Sequence, residues 1–313
     1  MRRSIAVSIA AAMLVAACSK EQKPATPDTS AAKSASATAT KLGETSGVLT
    51  PESVRYDPEL DVYYISNING NPSQKDGNGF IAVVRADSTG APIKKLVDGG
   101  KNGAKLDAPK GLALVGDTLW VADIDHVRAF NRRTGAPVAD IDLSPQKATF
   151  LNDVAVGGDG AVYVTDTGIA FDAKGNVSHP GTDQIFKIVG RTATSIKADS
   201  LNSPNGITWD GANARFVLAP FSGKAVQTWK PGDKATTTLV NGPGTYDGVE
   251  VLKDGRILVT SWADSTVNVI QNGALSPLVH GVSGPADIGV DTKRMVLAVP
   301  RFNDNKVEYF KIP

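Results

Sequence analysis

Among the ionisable and amide side chains of this 313-residue sequence, one group recurs in register. Six short segments align without gaps, at residues 51–56, 109–114, 151–156, 204–209, 246–251 and 285–290. Their second positions are Glu52, Lys110, Asn152, Asn205, Asp247 and Ala286, and Asp153 and Asp287 stand in the next column. Two carboxylates and two carboxamides gathered around one point would make an oxygen cage. Hard cations take about six to eight oxygens, and a mixed carboxylate, amide and water set suits Ca²⁺ better than small, strictly octahedral Mg²⁺. Asn and Asp also cap strand ends and satisfy turn backbone. Any one of these residues alone would read that way; four in one column favour the cage. Softer chemistry has little material. The only cysteine is Cys18 and there are three histidines, which excludes a disulfide framework and a Cys-rich zinc site. No Gly-x-Ser-x-Gly elbow occurs, and the glycines at 99–100 and 157–160 sit in turns that precede no helix, so they are not phosphate-binding loops.

The column has meaning only if the chain brings its six members together. Beyond residue 45 no amphipathic helix is evident; β-branched runs alternate with Gly, Asp, Asn and Pro, the signature of an all-β fold. Each aligned segment has apolar fourth and sixth positions and is followed by a polar turn and a second strand: VYYIS, TLWVA, AVYVT, RFVLA, RILVT and RMVLA. Third strands follow (FIAVVR, VRAFNR, DQIFKIV, AVQTWK, TVNVIQ, KVEYFKI), and the first five copies carry a fourth apolar stretch. Six such copies predict a six-bladed β-propeller, with 47–50 supplying the missing strand of the last blade and closing the ring. First strands of blades run along the central channel, so the column converges at one mouth. The second strands return to that mouth, bringing Asn67, Asp123, Asp166 and Ser261 there, with His126 in the following turn. Asp123 and Asp166, with Lys110, are expected to meet the substrate; Lys110 either binds an anion or balances the carboxylates around it. His126 is read as a candidate proton shuttle or as a surface histidine making a turn contact. Two insertions, 68–79 and 167–183, should overhang the site as a partial lid and choose the substrate.

The first 45 residues have a different character. A basic start, Arg2-Arg3, precedes an uncharged Ala/Val/Leu run that ends in Leu14-Val15-Ala16-Ala17-Cys18. The layout is that of a secretory signal, too short to span a membrane comfortably. It resembles the bacterial lipoprotein signal, which implies that Cys18 is lipidated and becomes the new N-terminus. Ser19, where an Asp would retain the protein at the inner membrane, points to the outer membrane, facing the periplasm. Residues 19–45 are Ala, Ser, Thr, Lys and Pro without apolar periodicity, expected to be a disordered tether spanning roughly 30 Å. The folded part is then 46–313. Removing 6 of 33 basic and 3 of 32 acidic groups leaves 27 against 29, a net charge of −2. That excludes a basic nucleic-acid-binding face, and a monomer is expected.

The segments 51–53, 151–153, 204–207 and 246–248 resemble the regucalcin/gluconolactonase family, with paraoxonase and diisopropylfluorophosphatase as more distant relatives. The resemblance spans the whole repeat region. It implies a divalent cation, usually calcium, held by Glu52, Asn205 and Asp247, with Asn152 coordinating it or contacting substrate. It also implies that Asp247 acts as general base for water or as nucleophile in ester opening. Two departures stand out. Lys110 occupies the position of a paraoxonase histidine, and the basic residues that read sugar hydroxyls in regucalcin have no clear counterpart. The sequence therefore predicts a lipid-anchored, calcium-dependent hydrolase of lactones or related esters; the alternative is a non-catalytic propeller that binds a ligand or partner and uses the metal to lock its channel.

Overall fold

The computed structural model describes residues 38–172 and 176–313. Cys18, the signal segment and most of the expected tether lie outside the described residues. Six four-stranded antiparallel sheets surround a central axis. The first blade runs outward through Pro51–Asp57, Val62–Asn67, Phe80–Arg85 and Lys94–Asp98. The inner strands of the next five are Pro109–Val115, Leu151–Val156, Pro204–Asp210, Tyr246–Val251 and Gly289–Asp291. Among the described residues there is no α-helix, and so none long enough to cross a membrane.

The core divides by blade interface. Alternation along a strand sends successive side chains to opposite sheet faces, and in a ring both faces meet a neighbour. Tyr63 and Ile65 therefore pack against Val307 and Tyr309 of the last blade. Tyr64, between them in sequence, joins Leu112 and Phe130 of the second blade. Where inner strands converge, even a Cβ is too much: one added at Gly111 would lie 2.4 Å from Asp153 Cα, and one at Gly248 would lie 2.5 Å from Asp287 Cα.

Closure of the ring differs from expectation. The strand that completes the last blade is Thr40–Thr45, antiparallel to Lys306–Lys311, and not 47–50. The reason is geometric. An outermost strand stands three spacings of ~4.8 Å, or ~14 Å, from the innermost one. Residues 46–50, at ~3.3 Å each, are needed to cross that width and reach Pro51. The tether expected over 19–45 thus ends before Thr40. Hydropathy did not mark this strand because it is held by charges: Lys41 lies 2.7 Å from Glu308 and Glu44 lies 3.2 Å from Lys306. In the last blade the second strand is Val296–Arg301, shifted by two residues from the segment expected at 294–298, so that Arg301 faces Pro285 as Asn67 faces Pro51.

Candidate metal centre and its cavity

Each of the first five inner strands slips register against its neighbour just after its first residue, for example between Pro51 and Val54 and between Tyr246 and Val249. A bulge breaks alternation and re-aims the extra residue. Without it, Glu52 would share the sheet face of Val54 and Tyr56, inside the apolar blade interface. With it, Glu52, Lys110, Asn152, Asn205 and Asp247 all line one cavity of about 250 Å³ at the channel mouth. The backbone leading into three of these positions is left-handed: φ is 47° at Thr50, 58° at Ser203 and 48° at Thr245. Such conformations cost ~1–3 kcal/mol each for non-glycine residues and gather at functional sites. They precede the strands that carry Glu52, Asn205 and Asp247.

Four buried oxygens at this floor have no hydrogen-bond partner: Glu52 Oε2, Asn152 Oδ1, Asn205 Oδ1 and Asp247 Oδ1. They come from four blades. Burial without a partner is costly for any polar atom. The surroundings fix which atom is left free. Asn152 Nδ2 donates to Thr167 Oγ1 at 2.9 Å, and Trp262 Nε1 donates to Asp247 Oδ2 at 2.9 Å. Burial drives the Glu52 and Asp247 carboxyls well above the usual carboxylate range; Asp247 and Asp287 raise Glu52 further, while the hydrogen bond from Trp262 eases Asp247. Among the described residues no cluster of three or more His, Cys, Asp or Glu side chains could hold a metal. This set has two carboxylates and two carboxamides, a donor set for a hard cation. The residues fit a calcium ion.

Lys110 stands in the same ring, buried. Its Nζ donates to Ala108 O at 3.2 Å and lies 4.3 Å from the centre of the Phe150 ring. Burial lowers its pKa, against the pull of Glu52, Asp123 and Asp166. One step deeper, Asp153 accepts hydrogen bonds from Val154 N and Ile207 N at 2.6 and 2.7 Å, and burial pushes it up to about 7. Asp287 accepts from Ser53 Oγ at 2.5 Å. The far end of the channel holds the Arg55–Glu250 ion pair and opens into a larger cavity of about 590 Å³. Arg55 pairs with Glu250 and Arg256 with Asp254 there, and none of the partnerless buried side-chain oxygens of the described residues lies in it.

Two of the expected substrate contacts serve the scaffold instead. Asp123 accepts the backbone N–H of Ala108 at 2.7 Å and of Asp107 at 3.1 Å, and takes Arg128 Nε at 2.5 Å. Asp166 accepts from Phe150 N at 2.9 Å, Thr149 N at 3.2 Å and Gln184 Nε2 at 3.1 Å. Asn67 does the same for Leu49 N at 2.8 Å. These side chains tie the end of each second strand to the loop that leads into the inner strand of the same blade, and they do not line the cavity. His126 is also outside it: its Nδ1 is 2.7 Å from Asp140 Oδ1, with Asp125 and Asp142 nearby, so it makes a surface contact and not a proton relay at the floor.

Both insertions reach the cavity. The first contributes Ile68 and Pro72, the second Thr167, Ile169, Phe171 and Val177. Lys75 bridges the first to Asp125 at 2.5 Å. The second is pinned where His179 Nε2 meets Ser203 Oγ at 3.0 Å and Asp183 Oδ2 accepts Ser203 N at 2.6 Å. The Ser-His-Asp contact presents no nucleophile, because Ser203 is fully buried and also bonded to Ser222. A further column escaped the sequence reading. The residue immediately after each second strand is Ile68, Ile124, Thr167, Phe221, Trp262 and Phe302, and all but Ile124 line the cavity. Its signal lay one position beyond the polar column that was read.

Fold and floor together define a class: a six-bladed propeller with an oxygen-lined axial site beneath an apolar mouth. Residues 51–287 match the model of the SMP-30/Gluconolactonase/LRE-like region, and the chain belongs to that family. No curated protein sequence matches the chain. Among solved structures, a gluconolactonase from Xanthomonas campestris superposes with a TM-score of 0.63 at 15% identity, covering 88% of this chain and 92% of the other. A calcium-binding protein, regucalcin, from Agrobacterium tumefaciens gives 0.64 at 13% identity, covering 88% and 95%. Virginiamycin B lyase from Staphylococcus aureus gives 0.56 at 13% identity, covering 87% and 99%. At these identities the likeness is one of fold.

Proposed function

We propose that the protein is a calcium-dependent hydrolase of lactones or related esters, working as a monomer on a small molecule and not on nucleic acid. The observation that carries this reading is the set of four buried, partnerless oxygens from four blades at the floor of the cavity at the channel mouth. Glu52, Asn152, Asn205 and Asp247 would hold the cation. When bound, it supplies Lewis-acid polarisation of the ester carbonyl and charge for the oxyanion.

The chain's own residues do the rest. Trp262 holds one oxygen of Asp247. The other, Oδ1, faces the cavity and takes the proton of the attacking water as its oxygen bonds to the carbonyl carbon. The ring C–O bond then breaks, and the proton held at Oδ1 passes to the leaving alkoxide, giving the hydroxy acid. Lys110 stands on the other side of Glu52 in the ring and offsets the negative charge that the water's deprotonation brings. The apolar walls keep bulk water away, which strengthens each of these interactions.

The test is a panel of lactones and aryl esters assayed with Ca²⁺ and with chelator. Turnover that chelator abolishes and Ca²⁺ restores supports the reading; no turnover by protein shown to bind Ca²⁺ refutes it. We place the protein in the bacterial envelope, anchored through Cys18 and facing the periplasm from the outer membrane; the lipoprotein-like segment 14–18 supports this. Cys18→Ala should leave the membrane fraction or stay unprocessed, and normal lipidation of that variant would remove the anchor.

A further inference from the structure

The walls of the cavity are of one kind. Ile68, Ile169, Phe171, Phe221, Trp262 and Phe302 surround the polar floor. Three rings form a continuous arc, Phe221 to Trp262 at 5.9 Å and Trp262 to Phe302 at 5.5 Å, and Phe150 and Phe171 pack at 5.8 Å across the third blade. Polyhydroxylated ligands need donors and acceptors along the wall, and here the side-chain donors of the wall, Trp262 and Thr167, are already engaged. Trp262 Nε1 serves Asp247, Asn152 Nδ2 serves Thr167, and Thr167 Oγ1 donates to Pro204 O at 3.1 Å. The donors with hydrogens to spare are Lys110 and the amides of Asn152 and Asn205, and all three sit at the floor, not along the walls. The buried free acceptors of the floor are the four oxygens that suit a cation. At about 250 Å³ the space lies below the ~300–1,000 Å³ of drug-sized ligand pockets. It fits one ring with a short hydrocarbon substituent.

We propose that this cavity selects compact lactones or esters bearing alkyl or aryl groups, and rejects sugar lactones. The proposal rests on the hydrolase reading for its chemistry, but selection can be measured without turnover. Full-length protein saturated with Ca²⁺ is titrated calorimetrically with δ-lactams, which keep the ring carbonyl and resist opening. One set carries methyl, propyl or pentyl groups; the other is a polyhydroxylated sugar lactam. Affinity should rise about fourfold per buried methylene until the cavity is full, and the sugar lactam should bind at least about tenfold more weakly than the propyl compound. Phe171→Ser should weaken the propyl and pentyl lactams about tenfold and leave the methyl compound and Ca²⁺ affinity nearly unchanged. Val177→Ser alters a residue that is 59% exposed, which folding does not require, and should lower the pentyl affinity several-fold. Equal or tighter binding of the sugar lactam, no binding by any lactam, or uniform weakening of all ligands by Phe171→Ser overturns the proposal. Alkyl lactams that bind in the predicted order while no lactone or ester is opened would defeat the hydrolase reading and leave the selection standing. Turnover of sugar lactones alone would do the reverse.

Discussion

Two rings of polar side chains lie at the same mouth and differ in what their oxygens meet. The inner ring, with Glu52, Asn152, Asn205 and Asp247, leaves at least one buried oxygen of each residue without a partner. The outer ring, with Asn67, Asp123 and Asp166, spends its oxygens on backbone N–H groups of the loop that enters the inner strand of the same blade. Residue type does not separate them, since both contain Asp and Asn. Local backbone does. The inner ring sits within a bulge and, in three blades, two residues after a left-handed one; the outer ring ends a regular strand and points at a turn with amides to satisfy. A carboxylate is available for chemistry where the fold withholds its partners.

The sharpest way to break this contrast is Asp123→Ala. It strips Arg128 of its closest partner and leaves loop amides bare, so urea unfolding should show a loss of about 3–5 kcal/mol. Calcium affinity should change little; the opposite result would exchange the roles of the two rings. Next in size is the pair Asp247→Asn and Glu52→Gln, each removing one charge from the inner ring. With saturating Ca²⁺, turnover by Asp247→Asn should stay down about 10²-fold or more, as for loss of a positioned base, while Glu52→Gln recovers most activity. Equal recovery would make Asp247 a ligand only.

Metal itself should act through the inner ring alone. Calcium at a hundredfold excess over its Kd adds about 2.7 kcal/mol, raising Tm by about 5 °C for a domain of this size. Asp123→Ala should keep that increment, and Glu52→Gln should lose much of it; a melting curve indifferent to Ca²⁺ would remove the metal. The smallest effect belongs to the strained approaches. Thr245→Gly accepts φ near 48° without a Cβ penalty, and should stabilise the protein by about 1 kcal/mol. A loss of similar size would show that the strain is absent.

The inner ring was legible in the sequence because repetition does the positioning: in a closed ring, equal places in equal units converge. Nothing beyond the register was needed to gather Glu52, Asn152, Asn205 and Asp247. Asp123 and Asp166 were misjudged because a column of residue types does not say whether a carboxylate faces a void or an amide. The aromatic arc of Phe221, Trp262 and Phe302 was hidden in part by the two-residue offset of the last blade, which displaced Phe302 from its column. Thr40–Thr45 escaped because hydropathy reports burial, and an outermost strand need not be buried.

That strand has a consequence for biosynthesis. Its partner is Lys306–Lys311, so the first part of the propeller to leave the ribosome waits for the last. Throughout translation it is an unpaired edge, free to join any other sheet. Lys41, Glu44 and the irregularity between Lys41 and Gly43 guard it in the meantime, since charge and a break in register discourage promiscuous pairing. Only when Lys306 and Glu308 emerge does the waiting segment find charges arranged to match its own.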